Sequence, residues 1–340
     1  MPAILFGEFE VELIKYILKR LFWGGIVLVF VSFFSFLVIQ LPPGDYLSSY
    51  LAKLQKAGMA LDSEAMAALR HSYGLDQPVI VQYWNWFWKF LHGDMGVSFL
   101  YAQRVDVLIL ERIPATLMLA LISTIVIYAI SIPVGIYAAR RQYSIGDFAA
   151  AIFGFIGMAT PNFLLALILM WIAYANFGVS IGGLQSPFFV NQPMSWAKFF
   201  DLLKHLPVPV IVLTLAGTAS LIRIMRGTLL DELGKQYVTT ARAKGLAEGK
   251  LIRKYPVRTA MNPIVSSGGW LLPELFSGET IVAIVLGLPT IGPLLYRALL
   301  GEDMFLAAGC IMIISILTII GFLISDILLA IIDPRIRFSR

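Results

Sequence analysis

Six long apolar runs constrain this chain more than any other feature of its sequence. Residues 22–42 and 113–139 contain no Asp, Glu, Lys or Arg. A helix that crosses a bilayer needs ~20 mainly apolar residues, and each of these runs supplies them. The other four runs cover residues 148–175, 207–228, 264–290 and 305–332. We therefore predict an all-α polytopic membrane protein with six transmembrane helices.

The composition excludes an ordinary soluble domain. Only 14% of the residues are charged and 59% are hydrophobic, whereas soluble proteins carry roughly 25% charged residues. A cleaved signal peptide is the alternative interpretation of the first run. Its apolar stretch is longer than the roughly 7–15 residues of a signal-peptide core, so we interpret it as a membrane span.

The distribution of positive charge predicts the orientation. Most of the 26 Lys and Arg residues fall in segments that share one side of the membrane, and the positive-inside rule makes that side cytoplasmic. Both termini are then cytoplasmic, and no nucleic-acid partner is needed to explain the charge. The predicted segments are an amphipathic N-terminal segment 1–21, an external helical insert 43–112, a core domain 113–332 that includes a cytoplasmic loop 229–263, and a cytoplasmic tail 333–340.

The loop 229–263 has a pattern of its own. Apolar residues recur at helical spacing before Gly245, which suits the end of a helix. A second amphipathic piece covers 248–255, and Pro256 and Pro263 mark the return to the membrane. We predict a helix, a glycine turn and a second helix, with an apolar side facing the cytosol. That side docks on a protein partner or lies flat on anionic lipid, and the sequence leaves both open.

Polar residues inside the apolar runs indicate a solute path, because a charged group in lipid is costly and usually faces protein or water. Glu274 and Glu279 lie in the fifth run, and Trp270 precedes Glu274 by one turn. Five residues separate the two carboxylates, which places them about 140° apart on a helix. One of them can line a narrow path; the alternative role is a hydrogen bond between helices.

Two positions are candidate helix breaks. Pro161 interrupts the third run beside Asn162, which is a further candidate for the path. A proline in a membrane helix frees backbone groups that must find partners within protein or water. Gly278 lies in the fifth run and permits a close approach between helices.

Several segments resemble the permease subunits of ABC importers, in the dipeptide/oligopeptide subgroup. The loop sequence TARAKGL (240–246), followed by RTAMNP, resembles the cytoplasmic coupling loop of that family. Thr239 and Thr240 stand where the family has Glu-Ala, and Pro256 interrupts the second loop helix. The other segments cover nearly the whole chain, and the LPPGD segment together with the large insert between the first two runs favours the B-type permease of a heterodimer. They are LPPGD (41–45), YGLDQPVIVQYWNWF (73–87), HGDMGVSF (92–99), ERIPATLMLA (111–120), GETIVAIVLGLPTIGPLLYRALL (278–300) and DPRIR (333–337).

The resemblance implies a mechanism and a set of partners. Such a permease pairs with a second homologous permease subunit, two ATP-binding subunits and an external solute-binding protein, and it transports by alternating access. ATP and Mg²⁺ bind to the ATPase subunits, so the resemblance implies no catalytic residue, cofactor or metal in this chain. Solutes of the family are peptides and, in some members, oligosaccharides, opines or metal chelates. The loop residues implied to contact an ATPase are Tyr237, Thr240, Ala241, Lys244, Gly245 and Leu246.

The residues themselves disfavour the rival classes. The phosphate-loop look-alike at 245–251 has three residues between its glycines and Leu after its Lys, whereas the motif needs four and then Ser or Thr. Secondary transporters often contain internal repeats, and none is visible here. A membrane enzyme needs a cluster of His, Asp or Ser/Lys residues at bilayer depth, and only scattered carboxylates occur there.

Overall fold

Helices form nearly all of the regular structure. The computed structural model describes residues 2–40, 71, 76–178, 181–190, 192–277 and 280–332. Within these residues the one β-pairing is an isolated antiparallel bridge between Val97 and Arg104. The helices in chain order are α1 (Pro2–Ile39), α2 (Val79–Leu91), α3 (Val105–Leu110), α4 (Ile113–Arg140), α5 (Ile145–Ala159), α6 (Asn162–Phe177), α7 (Trp196–His205), α8 (Pro207–Leu233), α9 (Gln236–Ala243), α10 (Glu248–Lys254), α11 (Pro256–Ser266), α12 (Gly268–Ser277), α13 (Thr280–Val285), α14 (Ile291–Leu300) and α15 (Met304–Ile332).

Several helical stretches are long and apolar enough to cross a membrane by themselves. The pair α5 and α6 passes the same test together, although it is bent by 101°. The predicted all-α membrane fold is therefore confirmed. The single stretches that pass, among the described residues, are Ile14–Ile39, Val105–Arg140, Pro207–Leu233 and Met304–Ile331.

The third predicted span, 148–175, is bent rather than straight. Helix α5 ends at Ala159 and α6 begins at Asn162, with Thr160 and Pro161 in extended backbone between them. Proline has no N–H to donate and disfavours helical geometry in the residue before it. The chain therefore leaves the helix at Thr160 and resumes a helix in a new direction.

The fifth predicted span, 264–290, is divided among three helices. Helix α11 begins before this range at Pro256, α12 contains Pro273, and α13 ends at Val285. Within the described residues the regular helix is interrupted at Ser267 and ends at Val285, and the candidate break at Gly278 lies outside them. The sequence of this range contains adjacent glycines and a proline, which are the weakest helix formers.

The chain forms two compact units. The larger comprises residues 1–18, 115–289 and 318–340, and the smaller comprises residues 19–114 and 290–317. In the larger unit α8 is the central helix, because it packs against α5, α6 and α11. The buried side chains of its second half include Leu221 and Met225.

In the smaller unit an aromatic cluster joins α1, α2 and the start of α15. Phe36, Tyr83 and Trp86 are buried there. Trp84 and Trp88 lie on the other side of α2 and are exposed. An amphipathic indole ring exposed in this way is typical of the boundary between lipid and water. The predicted insert 43–112 lies partly outside the described residues, so only this part of it can be compared.

Gly135 of α4 makes a close helix contact in the larger unit. A Cβ atom added there would lie 2.6 Å from the Cβ of Met225 and 3.1 Å from the carbonyl oxygen of Ile222. We expect Gly135→Ala to lower the Tm of the detergent-purified protein, because overpacking a tight contact costs about 1–3 kcal/mol. Gly227→Ala is the matched control in α8, since nothing lies within 4 Å of its added Cβ. Equal Tm values for the two variants would contradict this packing.

Candidate functional site

The loop 229–263 contains the predicted helix, glycine turn and helix. Helix α8 continues past residue 228 to Leu233, and the chain breaks at Gly234 before α9 begins at Gln236. Helix α10 follows the turn.

A third helix, α11, follows the two loop helices and begins at Pro256. Pro256 begins α11, at the position where a helix tolerates proline best because its N–H would be unpaired anyway. Pro263 lies inside α11 and does not begin a helix, and the prediction that the chain re-enters the membrane there stays a prediction.

Gly245 closes α9 with a specific backbone geometry. Its φ is +78°, in the left-handed region that favours glycine. The Gly245 N–H donates to the Arg242 carbonyl at 3.0 Å, and the Leu246 N–H donates to the Ala241 carbonyl at 3.3 Å. This pair of bonds is the Schellman motif, which satisfies carbonyls at the end of a helix. The turn direction between α9 and α10 is therefore fixed by hydrogen bonds.

The two short helices bury their apolar residues against each other. Val238 of α9 and Leu251 and Ile252 of α10 are buried, and we call these three residues the loop core. Ala241 and Leu246 pack against them and are half-buried. The expectation that the apolar side faces the cytosol is wrong, because its side chains are buried against one another inside the loop. The loop is consequently a small packed body and not a flexible segment.

Two polar contacts hold the ends of this body. The buried Glu232 carboxylate accepts from the Lys235 ammonium group and from the Tyr237 hydroxyl, each at 2.5 Å. Partial burial of its hydroxyl, and then the bond to this carboxylate, raise the pKa of Tyr237 to about 12. Arg242 donates to both oxygens of Glu248, at 3.1 Å and 2.7 Å. This second contact joins α9 to the first turn of α10.

The predicted contact residues of the loop divide into two groups. Tyr237, Thr240, Lys244 and Gly245 are exposed, so a partner can reach them. Ala241 and Leu246 are half-buried and serve the loop core. Sequence reasoning missed Glu232, Arg242 and Glu248; the spacing of Glu232 from Lys235 is the signal that could have identified the first of them.

The polar residues of the membrane runs are placed as follows. Asn162 is half-buried and is the first residue of α6, directly after the break at Pro161. Trp270 and Glu274 are exposed and share one side of α12, four residues apart. Glu279 and Gly278 lie outside the described residues, and their predicted roles stay predictions.

Side chains from other helices donate hydrogen bonds to the backbone where α11 meets α12. The Tyr128 hydroxyl donates to the Ile264 carbonyl at 3.1 Å, and the Ser325 hydroxyl donates to the Val265 carbonyl at 3.0 Å. In a bilayer, backbone carbonyls near a break need such partners. Sequence analysis singled out neither Tyr128 nor Ser325, although polar residues in apolar runs are the usual signal of helix contacts.

An ion pair with a buried carboxylate ties α5 to α8. Arg226 Nε lies 2.6 Å from Asp147 Oδ1, and Arg226 Nη2 lies 2.8 Å from Asp147 Oδ2. The Tyr143 N–H donates to the same carboxylate at 3.0 Å, and Ser144 caps α5 by accepting from the Asp147 N–H. This two-point contact fixes the end of α8 that leads into the loop.

The sequence also matches known families. Residues 131–338 match the family described as "Binding-protein-dependent transport system inner membrane component". Residues 13–120 match the N-terminal family of the membrane component of the same kind of system. The chain belongs to this family of transport permeases. The predicted family assignment is therefore confirmed, and the protein is a multi-pass inner-membrane permease.

Relatives of this permease are similar over almost its full length. The oligopeptide transport system permease AppB of Bacillus subtilis is 34% identical over 95% of this chain and 99% of its own. A putative peptide transport system permease of Brucella abortus is 30% identical over 95% and 99%. The inner membrane ABC transporter permease YejB of Escherichia coli O157:H7 is 32% identical over 84% and 79%.

A solved structure shares the permease fold. The inward-facing MetNI methionine ABC transporter contains a chain that matches with a TM-score of 0.51 and 18% sequence identity. The match covers 66% of this chain and 96% of that one. At this identity the comparison establishes the fold alone. No group of three His, Cys, Asp or Glu residues that could hold a metal is present in the part of the chain that the structure describes.

The Asp147–Arg226 pair gives a stability prediction. Asp147→Asn leaves the Arg226 guanidinium partly buried without its countercharge, and we expect a loss of about 2–4 kcal/mol, seen as a lower Tm in detergent. Glu248→Gln is the control, because its pair with Arg242 is exposed and exposed pairs contribute little. If both variants lower the Tm equally, the ion pair does not hold α5 to α8.

Proposed function

We propose that this permease imports peptides, as one half of the membrane path of an ABC transporter. The observation that carries the proposal is its near-full-length similarity to permeases that are named for peptide or oligopeptide transport. Oligosaccharides, opines and metal chelates remain the alternative solutes. The family membership and the fold support the transporter, and the names of the relatives support the peptide.

The loop 229–263 would transmit ATPase movement to the membrane helices. A lever for this purpose must be stiff, and the loop core, the Gly245 turn and the Arg242–Glu248 contact provide stiffness. Its exposed surface offers Tyr237, Thr240 and Lys244 to a partner. ATP and Mg²⁺ bind on the ATPase subunits in this proposal, and the permease itself catalyses no reaction.

The complete transporter contains four kinds of component. They are this permease, a second homologous permease, two ATP-binding subunits and an external solute-binding protein. Both termini and the loop lie on the cytoplasmic side, which the positive-inside rule supports. The exposed Glu274 and Trp270 of α12 face the path, where the carboxylate can meet the ammonium group of a peptide.

Affinity purification tests the assembly. The tagged permease is purified in detergent from its native membrane, and the proteins that accompany it are identified by mass spectrometry. We expect a second permease and ATP-binding subunits, and a solute-binding protein that co-purifies with them should bind peptides in preference to oligosaccharides. A permease that purifies as a homomer without any ATPase would overturn the proposal.

Gly245 gives the sharpest test of the loop. We expect Gly245→Asp to insert into the membrane normally and to abolish peptide uptake and solute-stimulated ATP hydrolysis, because it places a carboxylate on the exposed turn that meets the ATPase. Gly234→Asp is the control, since it adds the same group outside that turn, at a negative φ. Normal uptake by Gly245→Asp would show that this turn does not dock.

Cysteine labelling tests the placement of Glu274. The sequence has one cysteine, Cys310, and it is buried. We expect a water-soluble maleimide to label Glu274→Cys and Trp270→Cys in the assembled transporter, because both positions face an aqueous path. Leu271→Cys, buried on the same helix, should stay unlabelled like the parent protein. Absence of labelling at position 274 in every nucleotide state would remove Glu274 from the path.

A further inference from the structure

A groove of about 590 Å³ lies between the end of α4 and helix α10, within the larger unit. One end of it has an apolar wall made by Ile132, Pro133 and Ile136 of α4. Ile252 of the loop core contributes to the opposite wall. We call this cavity the inner groove. It is open to the outside of the molecule, so a ligand can enter it without displacing protein.

The other end of the inner groove is cationic. Arg140 and Arg141, at the end of α4, and Arg253, in the last turn of α10, all line it and are exposed. Within the described residues, no ion pair joins any of these three guanidinium groups to a carboxylate. Arg141 lies over the ring of Tyr137, with 5.6 Å between the guanidinium carbon and the ring centroid.

The nearby acidic group, the Glu248 carboxylate, already has a partner. Arg242 binds Glu248 in the exposed pair described above, and this bond, with a smaller contribution from Arg140, lowers the pKa of the Glu248 carboxyl. The three arginines therefore keep a positive charge in the groove, because no carboxylate of the larger unit forms an ion pair with them among the described residues.

The lining of the inner groove changes from cationic to apolar side chains along the axis of α4. Eight residues separate Ile132 from Arg140, which corresponds to about 12 Å along a helix. The arginines end the membrane span, so the apolar end of the groove lies within the bilayer. A phospholipid has the same order of parts over a similar depth, with an anionic phosphate at the surface and an acyl chain below it.

Topology accounts for only part of this arrangement. The positive-inside rule explains Arg140 and Arg141 at the end of a span. It does not explain why Arg253 arrives from a separate helix at the same groove. Basic pockets between helices on the cytoplasmic side bind anionic lipid head groups, and guanidinium groups suit a phosphate because they can donate two parallel hydrogen bonds.

We propose that the inner groove binds an anionic phospholipid of the inner leaflet, with its phosphate on Arg140 and Arg253 and an acyl chain against Ile132 and Ile136. The proposal uses the cytoplasmic orientation given under the proposed function. The bound lipid would bridge α4 and α10, and so it would steady the loop against the membrane helices.

Native mass spectrometry of the assembled transporter tests this site. The permease–ATPase complex is placed in nanodiscs that contain phosphatidylglycerol and phosphatidylcholine, and the lipids retained after release are counted. We expect selective retention of phosphatidylglycerol that weakens about 30-fold in Arg140→Gln/Arg253→Gln, since each arginine near a negative surface contributes roughly a fivefold factor. Lys250→Gln is the matched control, because it removes an exposed charge of α10 outside the groove.

Each other outcome overturns the proposal in a recognisable way. Equal retention by the parent and the double variant would show that the groove does not bind lipid, and an equal loss in Lys250→Gln would indicate a diffuse basic surface. Displacement of the lipid by inorganic phosphate alone would indicate a site for a soluble anion. Loss of the ATPase from the double variant with unchanged lipid would assign the groove to a protein contact. Retention is measured without transport, so it is independent of the solute.

Discussion

Every backbone N–H and carbonyl of a segment inside a bilayer must find a partner within the protein, and the rest of this structure depends on that constraint. It explains why the apolar runs are helical. It also explains where the helices are allowed to break. At the junction of α11 and α12, hydroxyl groups of Tyr128 and Ser325 donate to the carbonyls of Ile264 and Val265. The junction of α11 and α12 is therefore a supported position in the fold.

Helix α8 connects this membrane core to the loop that follows it. It packs on α5, α6 and α11, and the ion pair between Asp147 and Arg226 fixes its loop end. The Glu232 carboxylate, at the end of the same helix, holds Tyr237 of α9. Side-chain contacts therefore join the packed body of the loop to α8 and, through the ion pair, to α5.

The sequence was sufficient to predict the fold class, the apolar runs and the helix–turn–helix of the loop, because hydropathy and Gly245 report on local structure. The sequence predicted a break at Pro161 but not its 101° angle, because packing on α8 decides the direction of α6 after the break. The loop core was misjudged because periodicity shows which side of a helix is apolar but not what covers it. The pair Asp147–Arg226 joins residues 79 positions apart, which no single-sequence pattern reveals.

Site-specific photo-crosslinking in intact membranes shows whether the loop 229–263 meets an ATP-binding subunit, as we propose. A photoreactive residue replaces Lys244, which is exposed on the turn of the loop, and a second variant carries it at the exposed Met194 as a control. We expect an adduct between the permease and an ATP-binding subunit from position 244 and none from position 194. Adducts of position 244 with lipid alone, in membranes where the complex is assembled, would contradict the proposal.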